Sequence, residues 1–229
     1  MKYKSPVYSA ASGKIAGLVY SRNASGAYVR ALTVPVDPQS IYQTAVRGAF
    51  SFLADYWHST LTAQQRTEWN LYASNVTVID KLGDAIYISG FNHFIRSNTP
   101  FKTVFGSVVV DGPANFNLGE VSPITVIASE ATQFLSITFN AGDDWVSEDG
   151  SALFVYQSRP KNNTINFCKG PYRLVGTLLG NQAAPPPSPS DLAAVFPFVA
   201  DQRLFLRFNV HRVDGRLSTS LYTFCTAAA

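Results

Sequence analysis

His58, His93 and His211 are the side chains best suited to hold a metal or shuttle a proton near neutral pH. They fall in separate segments with no repeated ligand spacing, so a shared zinc-type site is not expected. His211 alternates onto the polar side of its segment, as an ordinary surface histidine would. The one acidic cluster is Asp143, Asp144, Glu148 and Asp149. Trp145 and Val146 interrupt it, so it does not match the D-x-[DN]-x-[DN]-G calcium loop and reads as a solvated turn. Carboxylates paired for glycoside hydrolysis meet only in three dimensions, and nothing in the sequence singles out such a pair. Cys168 and Cys225 are the only cysteines. They are too few for a disulfide scaffold, and Trp145 precedes both instead of lying between them as in an immunoglobulin bridge. Two buried free thiols and synthesis in a reducing cytoplasm follow. No phosphate-cradling glycine loop, HExxH or G-x-S-x-G occurs. Catalytic residues, cofactors and metals are therefore not expected, and the chain does not read as an enzyme.

Binding chemistry concentrates near the N-terminus, in SGKIAGLVYSRNASGAYVRALTVPVD, Ser12 to Asp37. Over the first fifty residues Lys2, Lys4, Lys14, Arg22, Arg30 and Arg47 face Asp37 alone, although the whole chain carries only +3. Such lopsided charge describes an arm that lies on something else. Lys14, Arg22 and Arg30, interleaved with Tyr20 and Tyr28, suit two kinds of partner. Cations and rings can contact a nucleic-acid backbone and stack on bases. Tyr, Arg, Ser and Gly equally make protein contacts. The small apolar run Ile15 to Val19 favours adding a strand to a neighbouring subunit.

The elements that must position these groups are legible in outline. Lys14–Ser21 and Ala27–Val34 read as strands about the turn Asn23-Ala24-Ser25-Gly26, a hairpin too small to be stable alone. Asp37-Pro38 predicts a helix start, with Val46, Phe50, Leu53 and Trp57 on one face. Thr62 and Gln65 form a capping-box pattern that opens a second helix with Arg66, Trp69 and Ala73 in register. Trp57 and Trp69 are therefore expected in the core between these helices. A third helix starts at Ser89, with Phe91, Phe94 and Ile95 inward. Downstream, Leu135, Ile137 and Phe139 alternate with polar residues, and so do Leu204, Leu206, Phe208 and Val210, which predicts strands with one wet face. Asp214-Gly215 turns into a last strand, Leu217–Cys225, and APPPSPS (Ala184 to Ser190) is an extended loop.

Composition sets the class. A hydrophobic fraction of 46% supports a globular chain, while the charged fraction of 14% is well below the usual quarter. Few charges with many exposed-type aromatics suit a surface covered by neighbours, hence an assembly subunit. No apolar run approaches the ~20 residues of a membrane span. The N-terminal lysines lack the apolar region of a secretory signal.

Several motifs together carry a family resemblance. SGKIAGLVYSRN…GAYVRA, VDPQS…Q…VR…F, LTAQQRTEW and KLGDAIYISGFNHFIRSN resemble a group of proteins encoded in bacteriophage genomes and prophages. DDW, LFVYQSRP, KGPYRLVG and HRVDGRLS continue the resemblance, and the last hairpin is similar to the final two strands of fibronectin type III modules. The resemblance implies a virion component, made in the bacterial host cytoplasm: a capsid decoration, connector or tail-associated part. It defines no catalytic residues.

The sequence thus predicts an α+β protein in three regions. Residues 1–36 are a basic arm or hairpin, 37–118 a helical subdomain, and 119–229 an antiparallel, Ig- or fibronectin III-like β-sandwich. The expected role is a structural phage subunit, a homo-oligomer contacting other virion proteins and no membrane. Lys14, Tyr20, Arg22, Tyr28 and Arg30 are its interaction residues; the alternative is nucleic-acid binding through the same arm. A wall- or glycan-degrading virion enzyme stands third.

Overall fold

The computed structural model describes residues 11–23, 26–79, 83–119 and 121–229. The chain divides into two compact units, Met1–Gln43 and Thr44–Ala229. In the first, β1 (Gly13–Ile15), β2 (Leu18–Asn23) and β3 (Gly26–Ala31) form an antiparallel sheet in that order. The expected two-stranded hairpin is thus a three-stranded meander. Ala16 and Gly17 both take positive φ, 45° and 78°, which makes a two-residue turn and breaks the expected first strand. Ala24 and Ser25 of the expected turn lie outside the described residues, as do Lys2 and Lys4.

Three helices follow: α1 (Ile41–Ser59), α2 (Ala63–Asn75) and α3 (Gly90–Phe105). A two-stranded ribbon, β4 (Val78–Ile79) with β5 (Ala85–Ile86), lies between the last two. Helix α1 starts later than Asp37-Pro38 predicts. Gln39 sits at φ 45°, outside the helical region, and Ser40 caps the helix instead. Gln43 N donates to Ser40 Oγ and Ser40 N donates to Gln43 Oε1, a reciprocal box that satisfies two donors. The Thr62–Gln65 box forms as predicted, at 3.2 and 3.0 Å. Ser89 caps α3, and Gly106, at φ 74°, ends it in the left-handed conformation.

The helices share an aromatic core of Leu53, Trp57, Trp69, Tyr72, Phe94 and neighbours. Trp57 and Trp69 both pack on Phe94, with ring centroids 5.5 Å apart in each case. The Trp69 indole is satisfied as well, donating to the Val110 carbonyl at 2.9 Å. The buried stripe of α1 is Ala49, Leu53 and Trp57; Val46 and Phe50, expected on it, are half exposed. Gly90 is required by close approach. A Cβ there would lie 2.7 Å from the Asn70 backbone nitrogen.

The remaining strands are β6 (Thr125–Ser129), β7 (Phe134–Thr138), β8 (Ala152–Ser158), β9 (Tyr172–Leu179), β10 (Ser190–Ala193), β11 (Arg203–His211) and β12 (Leu221–Ala228). Their hydrogen-bonded order is β10-β7-β6-β12-β11-β8-β9. All pairs are antiparallel except β6 with β12, where Ala128 and Ser129 run parallel to Ala227 and Ala228. Three strands on one side and four on the other bury one common core: Leu135 and Ile137 on β7 meet Leu153 and Val155 on β8 and Leu204, Leu206 and Phe208 on β11. The connections β7→β8, β9→β10 and β10→β11 each change side, the Greek-key pattern of an Ig/fibronectin III-like sandwich. The protein is α+β. Among the described residues no helix is long and apolar enough to cross a membrane.

The inward side of β11 is as predicted, but its outward side is not uniformly wet. Asn209 and His211 are buried. Helix α3 covers His211: the Phe101 ring stacks on it with centroids 4.5 Å apart, and Ser97 Oγ lies 3.4 Å from His211 Nε2. Ser97 Oγ also donates to the Gly215 carbonyl, and the Arg96 guanidinium donates to the Leu217 and Ser218 carbonyls at 3.4 and 3.2 Å. Beside this seam, buried Asn98 ties α3 to the segment that follows it. Its amide donates to the Val109 and Phe94 carbonyls, and its oxygen accepts from Val109 N at 2.7 Å.

Two outcomes follow from this seam. Asn98→Ala strands the Val109 N–H and carbonyl, and chemical denaturation should show a loss of about 2–3 kcal/mol. Burial lowers the His211 pKa to about 4 from 6.5, outweighing the opposing pull of Asp214. The folded protein therefore resists a proton that the unfolded chain accepts. The contribution is fully present above pH 6.5 and is lost as pH falls toward 4, about 3 kcal/mol in all. Urea midpoints measured across that window should fall, and His211→Phe should flatten the decline. An unchanged slope in that variant would place the acid sensitivity elsewhere.

Candidate functional site

The meander of the N-terminal unit carries the five residues expected to make contacts, and its register sorts them. Val19 pairs with Lys14 on one side and Arg30 on the other, while Ser21 pairs with Tyr28. Paired residues share a face, so Lys14, Tyr28 and Arg30 share one with Val19. Tyr20 and Arg22 lie on the opposite face, with Ile15, Leu18 and Val29. The structure therefore gathers the five into two groups and not one patch. Lys14, Arg22 and Arg30 are exposed; Tyr20 and Tyr28 are half-buried. Val19 is the only buried side chain among the described residues of this unit. Ile15, Leu18, Leu32, Val34, Val36 and Ile41 are exposed along the same segment.

The groups with catalytic potential are dispersed or already engaged. His58 is exposed on α1, 5.9 Å from the Phe91 ring. His93 is buried against Tyr72, and its pKa is lowered by burial first and by the Arg96 charge second. His211 lies under α3. Among the described residues no three His, Cys, Asp or Glu side chains gather as a metal site. The acidic cluster lies on a turn in which Asp144 and Asp149 are exposed, as expected, while Asp143 and Glu148 are not. Asp143 is buried and accepts from Ser122 N and Oγ at 3.1 and 2.6 Å. Glu148 pairs with Arg212, and Asp149 accepts from Gln182 N at 2.8 Å. These carboxylates tie loops to the sandwich. Both cysteines are free thiols; Cys225 is buried in the core, which pushes its pKa up to about 11, whereas Cys168 is half-buried.

A second surface, on the outer face of the four-stranded side, was not visible in the sequence. Phe205 and Arg207 on β11 point outward beside Tyr222 and Phe224 on β12, with which they pair. Arg207 lies over the Tyr156 ring at 4.1 Å and the Tyr172 ring at 5.6 Å. Arg203 stacks over Phe224 at 4.8 Å. It also donates to the Ile165 carbonyl and to Asn163 Oδ1, both at 3.0 Å, and so holds the loop between β8 and β9 beside the sheet. Tyr172 Oη donates to the Cys168 carbonyl at 3.1 Å, fixing the other end of that loop. Burial pushes the Tyr172 hydroxyl up to about 12, so it remains a neutral donor. Loop and sheet enclose a groove of about 670 Å³ lined by Phe167, Lys169, Tyr172, Phe205, Tyr222 and Phe224 among others. The alternation of β12 marks Tyr222 and Phe224 as one face, but the loop that makes the surface concave has no periodicity to read.

No protein family and no curated protein matches this chain. Among solved structures it is similar to a Fn3-like protein from Clostridium thermocellum. That similarity covers 49% of this chain and 97% of the other, at 9% identity and a TM-score of 0.32.

Proposed function

We propose that the protein is a structural subunit of a bacteriophage particle that assembles through its N-terminal unit. One observation supports this reading above the rest: among the described residues, the three-stranded sheet buries a single side chain, Val19. Small sheets without a hydrophobic face buried on something are marginal in water. Each apolar side chain left exposed forgoes about 1.5–3 kcal/mol, and Ile15, Leu18, Val34 and Val36 together are a strong drive toward a partner surface. The phage setting comes from the motif resemblance. On this reading the partners are copies of the chain and other virion proteins, the role is non-catalytic, and Lys14, Arg22 and Arg30 steer the arm toward acidic surfaces.

Light scattering after size exclusion tests this on the full chain. A defined oligomer that survives high salt is expected, and Ile15→Asp with Val34→Asp should make it monomeric without changing the circular dichroism of the body. Removal of residues 1–36 should have the same effect. A full chain that is monomeric at every concentration and that joins no particle would end this reading. Salt-sensitive co-purification of nucleic acid, lost in Lys14→Gln/Arg22→Gln/Arg30→Gln, would replace it with nucleic-acid binding by the arm.

A further inference from the structure

The groove on the outer face of β11 and β12 shares no residue with the arm, and its composition is unusual for an exposed sheet. Phe167, Tyr222 and Phe224 are 76%, 59% and 55% exposed among the described residues. Tyr222 and Phe224 are two residues apart on one strand, so their rings stand on the same face roughly 7 Å apart. Phe205 beneath them is buried and gives the groove an apolar floor.

Its charge has one sign. Lys169 is exposed in the lining, and Arg203 and Arg207 stack on its aromatic walls. Among the described residues no carboxylate lines it. The Arg207 Nε is buried without a hydrogen-bond partner in the protein. Charge complementarity at Lys169 and the neighbouring arginines favours an anionic occupant over the cationic arm of a second copy. A neutral sugar could stack on the rings but would leave the cations without a counter-charge. An acidic peptide would use the cations and leave three exposed rings unexplained. A polymer that alternates negative charge with flat π-faces uses both.

We propose that this groove binds single-stranded nucleic acid, with Phe167, Tyr222 and Phe224 stacking on bases and Lys169 and Arg207 supplying positive charge toward the phosphates. Arg203 is a positioning residue: its hydrogen bonds hold the loop that brings Phe167 and Lys169 to the sheet. Sequence preference is weak, because rings accept any base.

Fluorescence polarisation of a labelled oligothymidylate with the full-length protein tests the site. Binding that weakens with salt is expected, and Tyr222→Ala and Phe224→Ala should each lower affinity about tenfold. Lys169→Gln should reduce the slope of log affinity against log salt by about 0.7. The triple arm variant Lys14→Gln/Arg22→Gln/Arg30→Gln should leave affinity within twofold. Because Tyr222 and Phe224 are exposed, unchanged thermal midpoints will confirm that these variants fold. Binding that disappears in the arm variant but persists in both ring variants would overturn the proposal. So would failure to bind oligothymidylate or a single-stranded RNA. Capture of polyglutamate or hyaluronan instead, lost on Tyr222→Ala, would assign the groove to another polyanion. None of these outcomes depends on the oligomeric state, so they leave the assembly reading to its own test.

Discussion

Helix α3 is shared between two cores, and the architecture of the larger unit follows from that. One side of it supplies Phe94 to the aromatic cluster of the helices; the other sets Phe101 and Ser97 against the outer face of β11. A helix packed this way cannot shift toward one neighbour without opening the other. Its polar groups are spent on the same task. Arg96 reaches the backbone carbonyls after β11, and Asn98 closes a ring of hydrogen bonds with Val109. The carbonyls they satisfy would otherwise be stranded at a seam that excludes water. Thr44–Ala229 is accordingly one compact unit and not a helical module strung to a sandwich.

How much of this was legible depended on whether a signal was local. The Thr62–Gln65 capping box and the inward residues of β11 are fixed by neighbours three or two positions away, and they read correctly. Alternation, however, says only that side chains point to two sides; it does not say what lies over the second. His211 was therefore expected in water and is buried under Phe101. Val46 and Phe50 err in the opposite direction. Their spacing is helical, yet the buried stripe follows Ala49, Leu53 and Trp57, the last of which packs on Phe91 and Phe94. Asp143 shows the same limit among polar groups, since its partner Ser122 is remote in sequence.

The two proposed surfaces differ in kind. The N-terminal meander is apolar with cations on both faces and little core, so its free energy of folding is coupled to whatever covers it. The groove sits on a rigid sheet whose loop is pinned at Asn163, Ile165 and Cys168. It needs no ordering on binding, and a preformed site loses less affinity to conformational entropy. The first was signalled by composition in one segment. The second is assembled from a loop and two strands, and only their juxtaposition makes it a concavity.

The pairing of β12 has a kinetic consequence. It is antiparallel to β11 on one edge and parallel to β6 on the other, so one strand clasps both sides of the sandwich. Every other strand of the sandwich precedes it in the chain. During synthesis β6, β7 and β10 must wait, with a flank open, until Leu221–Ala228 emerges. Contacts across so long a stretch are slow to form, and an open strand edge is a place where chains join the wrong neighbour. The interval before β12 docks is thus the stage at which crowded nascent copies are most exposed to mispairing.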